Sequence, residues 1–164
     1  MSIFHSISSF NNAGFTIFKE NSNLDIFSQG YLNNIILILT SLLFFFGGIG
    51  YFVVNDLLHH RKILGRRGFQ KFRVLLSLET KMILIGSLVL TLIGSIAVFV
   101  FEYSNLQTIG NFSLSEKIIN SFFTSMSTRT AGFNSFDMSL TNDYTNIICG
   151  MLMFIGGGPA STAG

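Results

Sequence analysis

The sequence predicts an all-α integral membrane protein, and three observations carry that prediction. Only 11% of the 164 residues are charged and 49% are hydrophobic, whereas a soluble domain usually has about 25% charged residues. Two stretches, Tyr31–Val54 and Met82–Phe101, contain no charged residue. Each is long enough for a helix to cross a hydrocarbon core of roughly 30 Å. The third observation is an internal repeat, in which a short polar motif precedes an apolar stretch twice.

Basic residues are concentrated after the first apolar stretch, and this asymmetry predicts the topology. Seven of the ten are Arg61, Lys62, Arg66, Arg67, Lys71, Arg73 and Lys81. Short segments rich in Lys and Arg remain cytoplasmic, so residues 55–81 are expected to form a basic cytoplasmic loop. Residues 1–30 and 102–145 then begin on the outer side. Anionic lipid or a cytoplasmic partner is the candidate ligand of the excess positive charge.

Two outer segments resemble each other and define a repeating unit. FHSISSFNNAGF at residues 4–15 corresponds to FFTSMSTRTAGF at residues 122–133, with Ser9 opposite Ser127 and a shared Ala-Gly-Phe triplet. Each segment is followed by a polar stretch, an apolar stretch and a glycine cluster. The unit is therefore expected to comprise a short helix, an Ala-Gly-Phe turn, an extended segment and a long apolar helix. The chain is expected to be a fragment of a longer repeat protein, cut at both ends.

The short helix of the second unit has a defined beginning. Ser113-Leu114-Ser115-Glu116 is a capping box, which predicts a helix from about Leu114 to Met126. A helix of this length, roughly 18–20 Å, is too short to cross a membrane. It is expected to enter the membrane and stop partway. Non-helical backbone at that depth is tolerated only where protein buries it or where it lines a water-filled path.

A turn at that depth suits a cation, because backbone carbonyls replace the water shell of the ion without adding fixed charge. Gly14 and Gly132 permit the dihedral angles that such a turn requires, and Phe15 and Phe133 are expected to pack behind the turns. The alternative interpretation is two ordinary extracellular loops. The predicted ion-filter residues are Asn12, Ala13, Gly14, Thr130, Ala131 and Gly132.

Other polar residues have more ordinary roles. Arg129 is expected to point away from the ion path and to hold the turn through hydrogen bonds to carbonyls or an acid. Asp137 and Asp143 either raise the local cation concentration or are plain exposed acids. His5 is expected to be a packed histidine, and Cys149 a small apolar residue. Close helix packing is the expectation for Gly47, Gly48, Gly50, Gly86 and Gly94.

Enzyme chemistry has no counterpart in the sequence. There is no P-loop, no Gly-x-Ser-x-Gly motif and no pair of carboxylates within the apolar stretches. The chain is therefore expected not to be an enzyme and to use no organic cofactor. The net charge of +2 gives no reason to expect a nucleic-acid partner.

Three motifs, taken in order, resemble the Trk/Ktr/HKT superfamily of potassium and sodium transporters, and most closely the Ktr type. They are FHSISSFNNAGF at 4–15, TRTAGFN at 128–134 and MFIGGGPASTAG at 153–164. The resemblance covers nearly the whole chain. It implies four M1–P–M2 repeats in a full subunit, each with a re-entrant pore helix and an extended filter loop. Residues 1–54 would be the end of the second repeat and residues 82–164 most of the third.

The resemblance also implies a gate, an assembly and a location. The M2 helix of the third repeat would be broken by a glycine-rich gate loop, and Gly14 and Gly132 would be two of four filter glycines. The transported ion would be K⁺ or Na⁺. Full-length subunits would form a homodimer in the plasma membrane, in contact with lipid, on a cytoplasmic ring of nucleotide-binding regulatory subunits. The implied gate-loop residues are Gly156, Gly157, Gly158, Ser161 and Thr162.

Two other classes of function remain open. A secondary transporter of an organic solute would also have broken helices at the membrane midplane, which suits Gly156–Pro159 but does not explain the repeated turns. A non-conducting membrane fragment would insert and carry no flux. Uptake of rubidium and sodium, with and without competing solutes, separates these alternatives.

Overall fold

The computed structural model describes residues 2–15, 30–67, 76–158 and 161–162. Within these ranges all regular structure is helical, which confirms the all-α prediction for the part of the chain described. A short 3₁₀ helix, Met138–Leu140, precedes the last α-helix. The α-helices in chain order are α1 (Ser2–Phe10), α2 (Tyr31–Gly48), α3 (Tyr51–Arg67), α4 (Leu78–Glu102), α5 (Leu114–Thr130) and α6 (Asp143–Ile155).

Helix α4 contains the predicted apolar stretch Met82–Phe101 and has 25 residues. Of the described helices, it alone is long and apolar enough to cross a membrane unaided. Its beginning is fixed by Ser77, whose hydroxyl accepts a hydrogen bond from Thr80 N at 3.2 Å. Serine is a favoured N-cap because its side chain pairs one of the free amides of the first turn.

The other apolar stretch, Tyr31–Val54, is not the single long helix expected from its composition. Helix α2 ends at Gly48 and α3 begins at Tyr51. The two helices are long and apolar enough to cross a membrane only when taken together, and they are bent by 88° relative to each other. Gly50 lies at the bend with φ 91°, a conformation that glycine adopts without steric cost. Helix α3 continues to Arg67, so the predicted basic loop is helical up to that residue. Its residues 68–75 lie outside the described ranges.

Helix α5 begins at the predicted capping box. Ser113 Oγ accepts from Glu116 N, and Glu116 Oε2 accepts from Ser113 N at 2.9 Å. The other carboxylate oxygen of Glu116 accepts from Gly30 N at 2.7 Å, which joins the beginnings of α5 and α2. Helix α5 ends at Thr130, one turn beyond the predicted Met126, and packs against α2, α4 and α6. The apolar core between α2 and α5 consists of Leu37, Phe44, Phe123, Met126, Ala131 and Phe133.

Two of the glycines assigned to close packing fulfil that prediction. A Cβ on Gly94 would lie 2.6 Å from Leu152 Cδ1 and would overlap Ser125 Oγ, so α4 approaches α5 and α6 closely there. A Cβ on Gly47 would overlap the carbonyl of Phe10. Gly86 differs, because a Cβ there would meet no described heavy atom within 4 Å.

A buried carboxylate that the sequence analysis did not predict joins the C-terminal end of α4 to the N-terminal end of α6. Glu102 is fully buried, and one of its oxygens accepts from Asn142 N at 2.9 Å and Thr145 Oγ1 at 2.6 Å. The other accepts from Asn105 Nδ2 and Thr108 Oγ1, both at 2.7 Å. Asn142 is the N-cap residue of α6, but its side chain makes no capping hydrogen bond. The carboxylate of Glu102 instead supplies the acceptor at the start of α6.

Candidate functional site

The two Ala-Gly-Phe turns lie against each other. Gly14 and Gly132 both have φ 71°, which is the left-handed region that favours glycine. A Cβ on Gly14 would lie 2.6 Å from the carbonyl oxygen of Ala131 and 3.9 Å from Gly132 Cα. The fold thus brings together two copies of one motif that are far apart in the sequence. The glycine has the same φ angle in both copies.

A serine hydroxyl holds each turn by the carbonyl that follows its glycine. Ser8 Oγ donates to Phe15 O at 2.7 Å, and Ser127 Oγ donates to Phe133 O. The sequence alignment places Ser9 opposite Ser127, but the structure gives the matching hydrogen bond to Ser8. The register changes by one residue because the first turn also accommodates Asn12, which has φ 50°.

The second turn is less extended than the sequence indicated. Thr130 is the last residue of α5, and Ala131 has helical dihedral angles, φ −83° and ψ −33°. The amides of Ala131 and Gly132 both donate to Ser127 O, at 2.9 and 3.0 Å. The first of these bonds is helical and the second closes the end of the helix, so the predicted filter residues Thr130 and Ala131 do not have extended backbone. The chain leaves the helical conformation at Gly132.

The side chain of Asn12 is buried beside the first turn. It is only 7% exposed, and neither its amide nitrogen nor its amide oxygen has a hydrogen-bond partner among the described residues. Buried amides in native proteins are almost always paired. A polar partner for Asn12 is therefore expected outside the described residues. Ala13, by contrast, is exposed.

Aromatic residues support the second turn from behind. Phe133 is 1% exposed and stacks on Phe44 with ring centroids 5.4 Å apart. His5 meets the same Phe133 ring edge-on at 5.4 Å, so the predictions that Phe133 and His5 are packed residues are confirmed. The matching prediction for Phe15 is wrong in this structure, where that side chain is 71% exposed.

Arg129 makes the carbonyl contacts expected of it, and its main acceptor lies at the end of α6. Its Nε and Nη2 donate to Gly156 O at 3.2 and 3.0 Å, and its Nη1 donates to Ser87 O at 3.3 Å. Gly156 is the C-cap of α6 and has φ 66°. The guanidinium therefore joins the last turn of α5 to the point where α6 breaks.

The residues that the resemblance predicts to form a gate loop, named here the gate segment after that prediction, return to the ends of α1 and α2. They are Gly156–Gly158 and Ser161–Thr162. Gly158 N donates to Gly48 O at 3.0 Å, and Thr162 N donates to Gly47 O at 3.3 Å. The Thr162 hydroxyl also lies 3.0 Å from Phe10 O and 3.1 Å from Gly47 O. The gate segment is thus held from α5 at one end and from α1 and α2 at the other.

Asp137 and Lys117, two charged residues on the predicted outer side, make local hydrogen bonds. Asp137 accepts from Ser139 N at 2.9 Å, and this backbone hydrogen bond lowers the pKa of its carboxyl group. Asp143 is exposed in the first turn of α6. Lys117, which the sequence analysis did not single out, donates to Tyr103 O at 2.8 Å and lies 4.1 Å from the centre of the Tyr103 ring.

The prediction for Cys149 is confirmed, because it is buried in an apolar cluster with Val98, Ile109 and Phe136.

Comparison with known proteins identifies the family of this chain. Residues 1–164 match the TrkH family, described as cation transport protein. The chain is 40% identical over 162 residues to the Ktr system potassium uptake protein B of Bacillus subtilis and 36% identical over 163 residues to the protein of the same name from Vibrio alginolyticus. It is 32% identical over 163 residues to the potassium/sodium uptake protein NtpJ of Enterococcus hirae.

Each of these alignments covers 99% of the chain and 33% of the relative, so the chain spans about a third of the length of the relatives it matches. Family membership and the apolar helix α4 together indicate a membrane location. The match along the whole chain supports the resemblance drawn from the turn and gate motifs. The chain belongs to the TrkH family of cation transport proteins.

Proposed function

We propose that this chain forms part of a membrane pathway for the uptake of K⁺ or Na⁺. The turns around Gly14 and Gly132 serve as two of its filter loops, each after a re-entrant pore helix, α1 or α5. The gate segment closes the path below them. In this proposal residues 1–54 end one M1–P–M2 repeat, and residues 82–164 form most of the next.

The observation that carries the proposal is the meeting of the two turns. Each turn follows a helix, α1 or α5, and contains a glycine with φ 71°. Gly14 faces the carbonyl oxygen of Ala131. Repeated turns that converge at one place can present carbonyl oxygens to a single ion, which replaces the lost water shell. Ordinary extracellular loops would have no reason to share this backbone twist and to touch. The negative end of the α5 dipole at the same turn also favours a cation.

Arg129 supports the filter loop without exposing its charge to the ion. Its guanidinium donates to Gly156 O and Ser87 O, so its donors are used on the gate side of α5. A cation near a cation path would otherwise repel the ion. In this proposal Arg129 fixes the end of the pore helix relative to the beginning of the gate segment.

The acids on the proposed outer side attract cations to the entrance. The hydrogen bond from Ser139 N lowers the pKa of Asp137, so its carboxylate stays charged throughout the neutral range. Negative charge around an entrance raises the local cation concentration, and this effect declines as salt screens it. Asp143, exposed at the start of α6, adds to the same field.

The relatives are about three times as long as the part that this chain matches, and the assembly of a full-length protein is proposed from the resemblance and from the names of the relatives. Two relatives are named potassium uptake proteins and a third a potassium/sodium uptake protein. Full-length subunits would pair as a homodimer in the plasma membrane, with residues 55–81 in the cytoplasm. A ring of nucleotide-binding regulatory subunits would dock on that side.

The test is rubidium and sodium uptake by the full-length protein in cells that lack their own potassium uptake, beside the variant Gly132→Ser. Serine resists φ 71°, so the carbonyls of the turn should reorient. Rubidium uptake should then fall or be replaced by sodium uptake. The matched control is Gly150→Ser, because Gly150 is exposed on α6 and a Cβ there would meet no described atom within 4 Å.

The outcomes separate the three classes of function. Uptake that Gly132→Ser leaves unchanged, with equal protein in the membrane, would refute the filter assignment. Saturable competition by an organic solute would favour the secondary transporter. A wild-type protein that inserts and gives no flux would favour the non-conducting alternative.

A further inference from the structure

The gate segment uses carbonyl groups that a continuous helix would need for itself. In an unbroken α-helix the carbonyls of residues 47 and 48 accept from the amides four positions later, those of residues 51 and 52. Here α2 ends at Gly48, and the carbonyls of Gly47 and Gly48 accept from Thr162 N and Gly158 N. The bend between α2 and α3 thus creates the acceptors on which the gate segment docks.

The close fit of Gly158 strengthens this contact. A Cβ on Gly158 would lie 3.0 Å from the carbonyl oxygens of both Gly48 and Ile49 and 3.2 Å from Ile83 Cγ2. The segment therefore lies directly on the broken end of α2, with no space for a side chain between them. A straight helix from α2 into α3 would turn these carbonyls along its own axis and remove the docking surface.

Thr162 adds a side-chain contact to this docking. Its hydroxyl lies within hydrogen-bond distance of Phe10 O, the last carbonyl of α1, and of Gly47 O in the last turn of α2. Its amide donates to the same Gly47 carbonyl. One residue thus joins the gate segment to the end of a proposed pore helix and to the bend.

We propose that Thr162 is a positioning residue that holds the gate segment closed against the break between α2 and α3, and that straightening this break releases it. The inference rests on the proposed function and extends it, because it assigns control of the gate to the preceding repeat. Helix α3 leads from the bend into the predicted basic loop, residues 55–81. Asp56 Oδ2 accepts from Ser77 N at 3.0 Å, which joins α3 to the start of α4. A partner that moves α3 would therefore act on the gate through the acceptors at Gly47 and Gly48.

The test compares initial rates of rubidium uptake by the full-length protein carrying Thr162→Val or Thr162→Ser, at equal amounts in the membrane. Valine keeps the shape and removes the hydroxyl, whereas serine keeps the hydroxyl. Loss of one hydrogen bond should shift the docking equilibrium and raise the uptake rate about fivefold in the valine variant. The serine variant should remain at the wild-type rate, which a purely steric role for Thr162 would not predict.

A second variant and a second readout keep the inference open to refutation if Thr162→Val folds poorly. Gly50→Ala should also raise uptake, because alanine disfavours φ 91° and so favours the straight helix. In a cysteine-free full-length background, Ser161→Cys should react faster with a polar thiol reagent when either change is present.

The results distinguish failure of this inference from failure of the proposed function. Wild-type uptake that neither Thr162→Val nor Gly50→Ala raises would overturn this inference and leave the proposed function standing. Unchanged thiol reactivity in both variants would overturn it independently of transport. A wild-type protein without uptake would overturn the proposed function and this inference together.

Discussion

Gly94 offers the sharpest test of the packing described for α4. Helices α4, α5 and α6 meet there, and small residues at such points let membrane helices approach closely. The change Gly94→Ala adds one methyl group 2.6 Å from Leu152 Cδ1 and in overlap with Ser125 Oγ. Because Ser125 Oγ donates to Thr91 O at 2.8 Å, moving it aside also breaks a buried hydrogen bond.

The expected cost follows from three terms. Overpacking costs about 1–3 kcal/mol, and a lost buried hydrogen bond costs about 1 kcal/mol more. Alanine regains about 0.5–1 kcal/mol over glycine within a helix. Gly94→Ala should therefore lower the free energy of unfolding by about 2 kcal/mol. Gly86→Ala is the matched control in the same helix, and it should be neutral or stabilising because a Cβ there meets no described atom within 4 Å.

The assay is the thermal unfolding midpoint of the full-length protein in detergent, with rubidium uptake measured in parallel. Adding Ser125→Ala removes the overlapping oxygen, so the cost of Gly94→Ala should be smaller in that background by about 1 kcal/mol, a coupling that contacting residues commonly show. Equal midpoints for Gly94→Ala and Gly86→Ala, or strict additivity with Ser125→Ala, would refute the close approach of these helices.

Two further predictions concern carboxylates. Glu102→Gln places an amide NH₂ among four donors and should cost about 3 kcal/mol of stability, measured as a lower unfolding midpoint. The control is Glu79→Gln, an exposed change in the first turn of the same helix, which should have little effect. An equal loss of stability in the control would contradict the reasoning. Hydrogen bonds from the amides of Gly30 and Ser113 lower the pKa of Glu116 below its ordinary 4.5. Its contribution to stability is therefore present above pH 4.5 and is lost as the pH falls through its folded-state pKa, so wild type and Glu116→Gln should differ near neutral pH and converge in acid. A difference that persists in acid would show that the charge of Glu116 is not responsible.

Local signals explain the elements that the sequence predicted correctly. The Ser113–Glu116 capping box fixes the start of α5 within four residues of chain, and the charge-free run Met82–Phe101 is sufficient to specify α4. The Ala-Gly-Phe triplets mark two glycines that indeed adopt positive φ. Each of these features depends on groups close together along the chain, so pattern and spacing reveal them.

Local signals also misled at identifiable places. The run Tyr31–Val54 has the composition of one straight span, but composition does not reveal which of its three glycines bends the chain. The alignment of the triplets set Ser9 opposite Ser127. The first turn is one residue longer because it accommodates Asn12, so the matching hydrogen bond comes from Ser8. Helix α5 continues to Thr130 and ends where the Ser127 carbonyl accepts from the amides of both Ala131 and Gly132. Residue types alone do not predict this detail of backbone geometry.

The sequence by itself determined the helical class, the apolar helix α4, the repeated glycine turns and the family. Only the tertiary structure decided what these parts hold. Arg129 donates to Gly156 O, 27 residues away, Glu102 accepts from the N-cap of a helix 40 residues further on, and Thr162 reaches Phe10 across 152 residues. Such contacts depend on how separate helices pack. The free energy that selects them comes from burial and hydrogen bonding between helices, and the residue pattern of a single helix does not show which partner it meets.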